Sequence, residues 1–237
     1  MNFANKTVIV AGGTGALGRA VALQFLEAGA TVTVTYRKQA EYDALAAAAG
    51  GYAARLNGQM LDVTDEPSTK QFVDSFAERH GHMDVLVNSV GGYAGGQTLW
   101  EADARIYEQM MALNLRSGYV LARAVVPVMV RQKRGWIVNV ASKAGYGHSS
   151  GAAVYAASKA AALALFDSLA EEVKAHNINV NSVVPSIMDT AANRQAMPHG
   201  DFSRWPKPED VARVILFLCS EDARLIQGAA VPVYGKT

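Results

Sequence analysis

Short apolar runs alternate with longer helical patterns along this chain, and no other feature of the sequence restricts the fold as much. The strand candidates are Thr7–Val10, Thr31–Thr35, Gly58–Leu61, Val85–Asn88, Trp136–Val140, Ile178–Val184 and Ala229–Val233. Helical spacing covers Leu17–Ala28, Gln39–Ala49, Glu66–His80, Leu99–Lys133, Ala152–Ala175 and Pro208–Cys219. Near-continuous apolar strands separated by helices are typical of a parallel sheet covered on both faces. We therefore predict a single doubly wound α/β domain over residues 1–237, with about seven strands.

Charge, histidine spacing and hydropathy argue against several classes of function. The net charge is +1 and no dense basic stripe is present, which argues against nucleic acid as a partner. The single cysteine, Cys219, excludes an intrachain disulfide, and the five histidines lack the spacing of zinc ligands, so we predict no metal site. The chain opens almost directly into a strand, and no apolar run reaches the roughly 20 residues of a membrane span. We expect a cytoplasmic protein that binds no membrane.

A glycine-rich turn, within KTVIVAGGTGALGRA, joins the first strand to the first helix. Such a turn is the usual meeting point of a chain with the pyrophosphate of a dinucleotide. A GxGxxG pattern fits only when it is read from Gly13, whereas reading from Gly12 places Ala16 and Gly18 at the second and third positions. Both readings predict a dinucleotide site, and Thr14 can offer its hydroxyl to a phosphate.

Ser142, Tyr155 and Lys159 form the strongest constellation for chemistry. Tyr155 and Lys159 are four residues apart in a helical stretch, so both side chains lie on one face. An ammonium close to a phenol favours phenolate and lowers its pKa from about 10, which allows proton exchange with a carbonyl or alcohol near neutral pH. Ser142 follows a strand and is expected beside the phenol, where it hydrogen-bonds the substrate oxygen. The Tyr–Lys spacing alone is a weak signal, and the serine at a strand end strengthens it.

These motifs occur in the order found in the short-chain dehydrogenase/reductase family, which the sequence resembles along nearly its whole length. The matching segments are AGGTGALG (Ala11–Gly18), Asp62-Val63, NSVG (Asn88–Gly91), Asn114, Ser142, Tyr155, Lys159, and Pro185 with Thr190, where Ser186 replaces the glycine of a PGxxxT segment. The resemblance implies a Rossmann-like fold and a GxxxGxG turn read from Gly12. Ala16 then stands at the second glycine position, where the helix is starting, and Gly13 and Gly15 add freedom to the loop.

The resemblance also implies a role for each member of an Asn-Ser-Tyr-Lys tetrad. Tyr155 is the expected general acid in reduction, and Ser142 holds the oxygen that receives its proton. Lys159 is expected to depress the pKa of Tyr155 and to hydrogen-bond the nicotinamide ribose. Asn114 is expected to position a water that links Lys159 to solvent, and Thr190 to contact the carboxamide of the nicotinamide.

Structural alternatives exist for four of these residues. Asn114 could bridge a helix to a strand, and Thr190 could be an N-cap. Asn88 could simply tie neighbouring strands together, and Asp62 could be the acceptor of a turn.

The end of the second strand bears on the choice of nicotinamide cofactor. An NAD site favours a carboxylate there, to accept a hydrogen bond from the ribose 2′-OH. This chain instead has Tyr36 followed by Arg37 and Lys38, a cationic pair that suits a 2′-phosphate, so we predict NADP(H). The residues expected to contact the cofactor are Gly12, Thr14, Gly15, Ala16, Leu17, Gly18, Tyr36, Arg37, Lys38, Asp62, Val63, Asn88, Ser89, Val90, Gly91, Tyr155, Lys159, Pro185, Ile187 and Thr190.

Two segments beyond strand ends, Gly91–Gly96 and Ser186–Pro208, are candidate binding loops. The expected substrate-pocket residues are Tyr93, Tyr146, His148, Met188, Met197 and Trp205, although one of the loop aromatics could simply pack onto the sheet. The loops and the glycine turn also resemble segments of dihydropteridine reductase, a member of the family. The retained Ser142 nevertheless favours a C=O substrate. We predict an NADPH-dependent carbonyl reductase, with a pterin or quinonoid reductase and a catalytically silent NADP-binding sensor as alternatives.

The resemblance further implies self-association. Family members are usually homotetramers or homodimers formed through the two long helices that flank the active site, here Leu99–Lys133 and Ala152–Ala175. The second of these is rich in alanine, and small side chains allow close helix approach, to the sheet or to a second subunit.

Overall fold

The computed structural model describes residues 1–237 and contains one parallel sheet in the strand order β3-β2-β1-β4-β5-β6-β7. The strands are β1 (Thr7–Ala11), β2 (Thr31–Tyr36), β3 (Leu56–Met60), β4 (Val85–Asn88), β5 (Gly135–Val140), β6 (Ile178–Pro185) and β7 (Ala230–Val233). The helices are α1 (Ala16–Glu27), α2 (Gln39–Ala49), α3 (Glu66–His80), α4 (Ala104–Met111), α5 (Ser117–Gln132), α6 (Ala153–Val173), α7 (Ala191–Ala196) and α8 (Pro208–Leu218). The predicted doubly wound, single-domain sheet is confirmed.

The core consists of two apolar layers, one on each face of the sheet. Alternate residues of a strand point to opposite faces, so Val8 and Val10 join one layer while Ile9 joins the other. Helices α1, α2 and α8 cover the first face, and α3, α5 and α6 cover the second. The central strands are therefore buried on both sides, which explains why their sequences are apolar without alternation.

Strand order reverses between β1 and β4, because the chain runs outward through β2 and β3 before it returns to the far side of β1. Loops that follow neighbouring strands then diverge, and a crevice opens at their carboxyl ends. The glycine turn after β1 and the segment after β4 both border this crevice.

The predicted helix Leu99–Lys133 is wrong in its first and middle parts. The chain becomes helical only at Ala104, where the Asp103 carboxylate accepts a hydrogen bond from the Arg105 main-chain N–H. A π-helical turn at Ala112–Arg116 then separates α4 from α5. Pro127 neither ends α5 nor marks a break.

The segment Ser186–Pro208, expected to be a loop, contains the short helix α7. Thr190 begins this helix as its N-cap, since its hydroxyl oxygen accepts from the Asn193 main-chain N–H at 3.2 Å. The N-cap alternative for Thr190 is therefore the one that the structure displays.

The helical stretch Ala153–His176 contains an 18-residue window with a mean hydropathy of 1.2, so it meets the length and composition of a membrane span. The expectation that no segment reaches that length is therefore wrong. Core helices of globular proteins meet the same criterion, and α6 packs Phe166, Ala170 and Val173 into the buried layer beneath the sheet.

A buried carboxylate, Asp84, connects the segments that precede β1, β4 and β5 at the amino-terminal edge of the sheet. Its side chain is fully buried, and its Oδ1 lies 3.1 Å from Lys6 Nζ and 3.0 Å from Arg134 Nη2. The other oxygen accepts from the Thr7 main-chain N–H at 2.9 Å and lies 3.2 Å from His82 Nε2. This cluster lies at the edge opposite the crevice, so its contribution is to stability.

Candidate active site

A cleft of about 200 Å³ lies at the carboxyl ends of β1, β2 and β4, where the strand order reverses. It is lined by Gly12, Thr14, Gly15, Thr35, Tyr36, Arg37, Lys38, Glu41, Leu61, Asp62, Val63, Thr64, Ser89, Val90, Gly91 and Leu113. Two larger cavities, of about 480 and 500 Å³, lie between β3 and α3 and between α6 and the β6–β7 edge. Only the smaller cleft is lined by the glycine turn and by the Tyr36–Lys38 segment, so we identify it as the candidate cofactor site.

The glycine turn approaches its surroundings too closely to accept side chains. Gly12 has a φ of +72°, and a Cβ on Gly18 would lie 2.2 Å from the Gly12 carbonyl oxygen. A Cβ on Gly13 would lie 2.5 Å from the Val34 side chain. Gly13 was expected only to loosen the loop, whereas the packing against β2 leaves no room for a larger residue.

The N-terminus of α1, which has no side-chain cap, lies at the cleft directly after the glycine turn. Helix α1 begins at Ala16, with Gly15 as its N-cap, and neither a side-chain cap nor an acidic residue satisfies its first N–H groups. Leu17 is buried behind the turn. Free N–H groups and the helix dipole favour an anion at this place, so the turn fits the pyrophosphate of a dinucleotide. Ala16 meets no positive φ because it is the first helical residue.

Tyr36, at the end of β2, faces inward. Its hydroxyl donates to Gln39 Oε1 at 2.7 Å, and its ring stacks on Tyr42 with centroids 4.8 Å apart. The side chain is buried, so Tyr36 forms the floor of the cleft at this point.

Arg37 and Lys38 differ in their surroundings. Arg37 is exposed and makes no ion pair, while Lys38 Nζ lies 3.2 Å from Glu41 Oε1. The second Glu41 oxygen accepts from the Thr14 hydroxyl at 3.1 Å, and these contacts lower the pKa of the Glu41 carboxyl. Glu41 was missed at the sequence level, although its position three residues after Lys38 in the first turn of a helix was a detectable signal.

Two other predicted cofactor residues engage in local hydrogen bonds. Asp62 Oδ1 accepts from the Thr64 main-chain N–H at 2.9 Å and from its hydroxyl at 2.7 Å, which is the turn alternative. Asn88 Nδ2 donates to Asn139 Oδ1 at 3.0 Å and so ties β4 to β5. The hydroxyl of the neighbouring Ser89 donates to the Ala11 carbonyl of β1 at 2.6 Å. Asp62 lines the cleft despite its turn hydrogen bonds.

Asn114 fastens the loop after β4 to α6 through its side chain. Its Nδ2 donates to the Gly92 carbonyl at 3.1 Å and to Ser158 Oγ at 3.0 Å, and its Oδ1 accepts from the Gly92 N–H at 3.0 Å. A Cβ on Gly91 would lie 2.9 Å from the Asn114 Oδ1. Asn114, in the π-helical turn between α4 and α5, therefore bridges α6 to the loop after β4 and not a helix to a strand.

Lys159 lies beneath the same loop. Its side chain is buried, its Nζ donates to the Val140 carbonyl at 3.0 Å, and a Cβ on Gly91 would lie 3.1 Å from that nitrogen. Burial lowers the pKa of the Lys159 ammonium to about 8. The ammonium is thus held at the carboxyl end of β5, one helical turn from Tyr155.

Tyr155 does not show the lowered pKa that was expected. Burial raises the pKa of its phenol, the nearby Ser142 hydroxyl opposes that rise, and Tyr93 adds to it. The rings of Tyr93 and Tyr155 meet edge to face with centroids 5.0 Å apart. The Lys159 ammonium donates to the Val140 carbonyl, and burial is the largest influence on the pKa of the Tyr155 phenol.

Burial of Lys159 makes the stability of the cofactor-free protein depend on pH. The unfolded chain holds this proton more tightly, so folding is penalised below pH 8 and the penalty disappears as the pH rises from about 8 towards 10.5. We expect wild type to gain about 2 kcal/mol of unfolding free energy, relative to Lys159→Met, between roughly pH 7 and 9.5. Urea unfolding of both proteins at several pH values measures this, and parallel pH profiles would contradict it.

The predicted pocket residue Trp205 is buried in the packing of the segment Ser186–Pro208. Arg194 makes two hydrogen bonds to Asp189, at 2.5 and 2.8 Å, and its guanidinium lies over the Phe202 ring at 4.8 Å. Phe202 in turn packs edge to face on Trp205, which is buried. The segment from β6 to α8 is thereby held as a compact unit.

The remaining predicted pocket residues, and the cofactor residues Ile187 and Pro185, differ in their exposure. Tyr146 is exposed and lines the cavity between α6 and the β6–β7 edge. His148 is exposed, and Met188 is half-buried against the core. Met197 and Ile187 are exposed in the segment Ser186–Pro208, and Pro185 is buried at the end of β6.

Comparisons with known proteins agree with this architecture. The family model described as short chain dehydrogenase matches residues 6–200. A 3-oxoacyl-(acyl-carrier-protein) reductase, FabG, from Thermotoga maritima is 31% identical over 99% of this chain and 98% of its own length. The human dehydrogenase/reductase SDR family member 4 is 30% identical over 99% of this chain and 88% of its own.

Among solved structures, ElxO with NADP bound has a TM-score of 0.91 at 27% identity and covers 97% of both chains. Levodione reductase has a TM-score of 0.93 at 25% identity, covering 99% of this chain and 98% of that one. The family model spans most of the sequence, and the relatives match it nearly end to end. The chain is therefore an oxidoreductase that belongs to the short-chain dehydrogenase/reductase family.

Proposed function

We propose that the protein is an NADPH-dependent carbonyl reductase that reduces a ketone or aldehyde and runs in reverse as an alcohol dehydrogenase. The observation that carries this proposal is the Ser142 hydroxyl beside the Tyr155 phenol, with the Lys159 ammonium one helical turn away at the Val140 carbonyl and next to Gly91 of the cleft. A phenol next to a hydroxyl offers both a proton and a hydrogen bond to a carbonyl oxygen.

The raised pKa of Tyr155 suits the direction of reduction. At neutral pH the phenol stays protonated and can give its proton to the oxygen as negative charge develops there. Ser142 lies next to the phenol and is positioned to hold the same oxygen. A bound reduced nicotinamide supplies the hydride, and Lys159 and the residues around Gly91 would hold its ribose.

The preference for NADPH rests on the end of β2. Arg37 is exposed, carries no ion pair and borders the cleft, so its guanidinium is free to bind a 2′-phosphate. The NADP bound by ElxO supports the same assignment, because that protein is similar to this chain over nearly its whole length.

We expect Arg37→Ala to lower kcat/KM for NADPH by about tenfold and to leave kcat/KM for NADH within about twofold, since only NADPH carries the phosphate. Steady-state kinetics with both cofactors and a common substrate measure this. Lys70→Ala, which removes an exposed cation on α3, is the matched control. A wild-type enzyme with the higher kcat/KM for NADH would refute the cofactor assignment.

A substrate panel separates the proposed function from its alternatives. NADPH oxidation is followed with ketones, aldehydes, 3-oxoacyl thioesters and a quinonoid dihydropterin. Turnover of carbonyl compounds supports the proposal, and 3-oxoacyl thioesters are included because of the similarity to FabG. Selective turnover of the pterin would support the dihydropteridine-reductase-like alternative, and tight NADPH binding without turnover of any compound would support the sensor.

The protein is further proposed to be a homodimer or homotetramer through α5 and α6. The outer side of α6 exposes Ala153, Ala157 and Ala164, and small side chains of this kind allow a second helix to approach closely. Light scattering at micromolar concentration tests the proposal, and a monomer would contradict it.

A further inference from the structure

The Glu41 carboxylate lines the cleft and contacts both the glycine turn and the residues that follow β2. Glu41 Oε2 accepts from the Thr14 hydroxyl at 3.1 Å on the glycine-turn side of the cleft. Its Oε1 lies 3.2 Å from Lys38 Nζ on the β2 side. Both partners are groups that would otherwise be free to bind an anion, so Glu41 occupies two anion-binding groups in the cofactor-free protein.

We propose that Glu41 is a specificity-determining residue that competes with the 2′-phosphate of NADPH for Lys38 and Thr14. The inference rests on the proposed NADPH site and extends it to a residue outside the cationic pair. A phosphate monoester carries between one and two negative charges at neutral pH, so a carboxylate on the same partners repels it. NADH lacks that phosphate and does not experience this repulsion.

A purely structural role for Glu41 is the competing explanation. Glu41 lies in the first turn of α2, where an acidic side chain interacts favourably with the helix dipole, and it is three residues from Lys38. Such a role affects the stability of the helix. It does not distinguish one dinucleotide from the other, so the ratio of the two affinities separates the explanations.

The test compares dissociation constants for NADPH and NADH in wild type, Glu41→Gln and Asp43→Asn, each titrated by fluorescence at low and high salt. Asp43 is a matched control because it is an exposed carboxylate on the same helix that does not line the cleft. We expect Glu41→Gln to tighten NADPH by about five- to tenfold, mainly at low salt, and to leave NADH within about twofold. Asp43→Asn is expected to change the NADPH/NADH affinity ratio by less than about twofold.

Three outcomes would overturn the inference: an unchanged affinity ratio in Glu41→Gln, a weaker affinity for NADPH, or an equal effect in Asp43→Asn. A wild-type preference for NADH is a separate result. It would overturn the proposed cofactor, whereas the change in the ratio on Glu41→Gln would still decide the role of Glu41. Titration with adenosine 2′,5′-bisphosphate and with AMP repeats the comparison on the adenosine half alone, so it reports on the phosphate directly.

Discussion

Tyr155→Phe is expected to lower kcat for carbonyl reduction by a factor on the order of 10² or more, while the dissociation constant for NADPH stays within about twofold. The substitution removes only the phenolic oxygen and keeps the ring that packs against Tyr93 at 5.0 Å. The carbonyl oxygen then loses its proton donor just as charge develops on it. Stopped-flow or steady-state NADPH oxidation gives kcat, and fluorescence titration gives the affinity for the cofactor.

Two further variants provide a control for Tyr155→Phe and a test of the role of Ser142. Tyr107→Phe removes a phenol from an exposed position on α4 and should leave kcat unchanged. Ser142→Ala removes the hydroxyl that opposes the rise in the phenol's pKa, and it should also reduce kcat. If Tyr155→Phe retained the wild-type kcat, proton donation by Tyr155 would be disproved, and a quinonoid substrate, which needs less help at oxygen, would become the better explanation.

Asp84→Asn is expected to lower the free energy of unfolding by about 2–4 kcal/mol, the second large effect. The carboxylate is fully buried, and the neutral amide keeps its shape but loses the attraction of Lys6 and Arg134. Those two cations are partly exposed, so water compensates part of the loss and the cost stays below that of a fully buried pair.

Urea unfolding of the cofactor-free protein provides the measurement for Asp84→Asn. Asp74→Asn is the control, because Asp74 pairs with Lys70 on the surface of α3, and its loss should cost less than about 1 kcal/mol. The kcat of the folded Asp84→Asn protein should match wild type, since the cluster lies at the sheet edge opposite the cleft. Equal costs for the two substitutions would show that burial adds nothing to the Asp84 cluster.

The positions of most strands and helices were predictable because their signals are local. Helices α2 and α3 and strand β4 have the predicted bounds, since Gly50, Gly81 and the flanking turns mark their ends in the sequence. The π-helical turn at Ala112–Arg116 was not predictable, because the hydrophobic period changes little there. This turn contains Asn114, whose side chain donates hydrogen bonds to Gly92 in the loop after β4 and to Ser158 of α6.

The residues of the candidate site could be predicted from the sequence, but many of the contacts between them could not. The order of the motifs along the chain identified Ser142, Tyr155 and Lys159, since the carboxyl end of a strand and one face of a helix must meet in a doubly wound fold. Sequence patterns alone could not reveal that Trp205 is buried against Phe202 or that Tyr146 lines another cavity. Both depend on how a segment without regular period packs on the sheet.

The sequence by itself determined the fold class, the family and the identity of the reactive groups, because apolar periodicity and the order of motifs can be read without knowing the tertiary structure. Only the tertiary structure decided how those groups are charged and paired. Lys159 donates to Val140 and leaves the phenol of Tyr155 governed by burial, and Glu41 reaches across the cleft to Lys38 and Thr14. Desolvation and pairing depend on distances between residues far apart in sequence, and those distances exist only once the chain has folded.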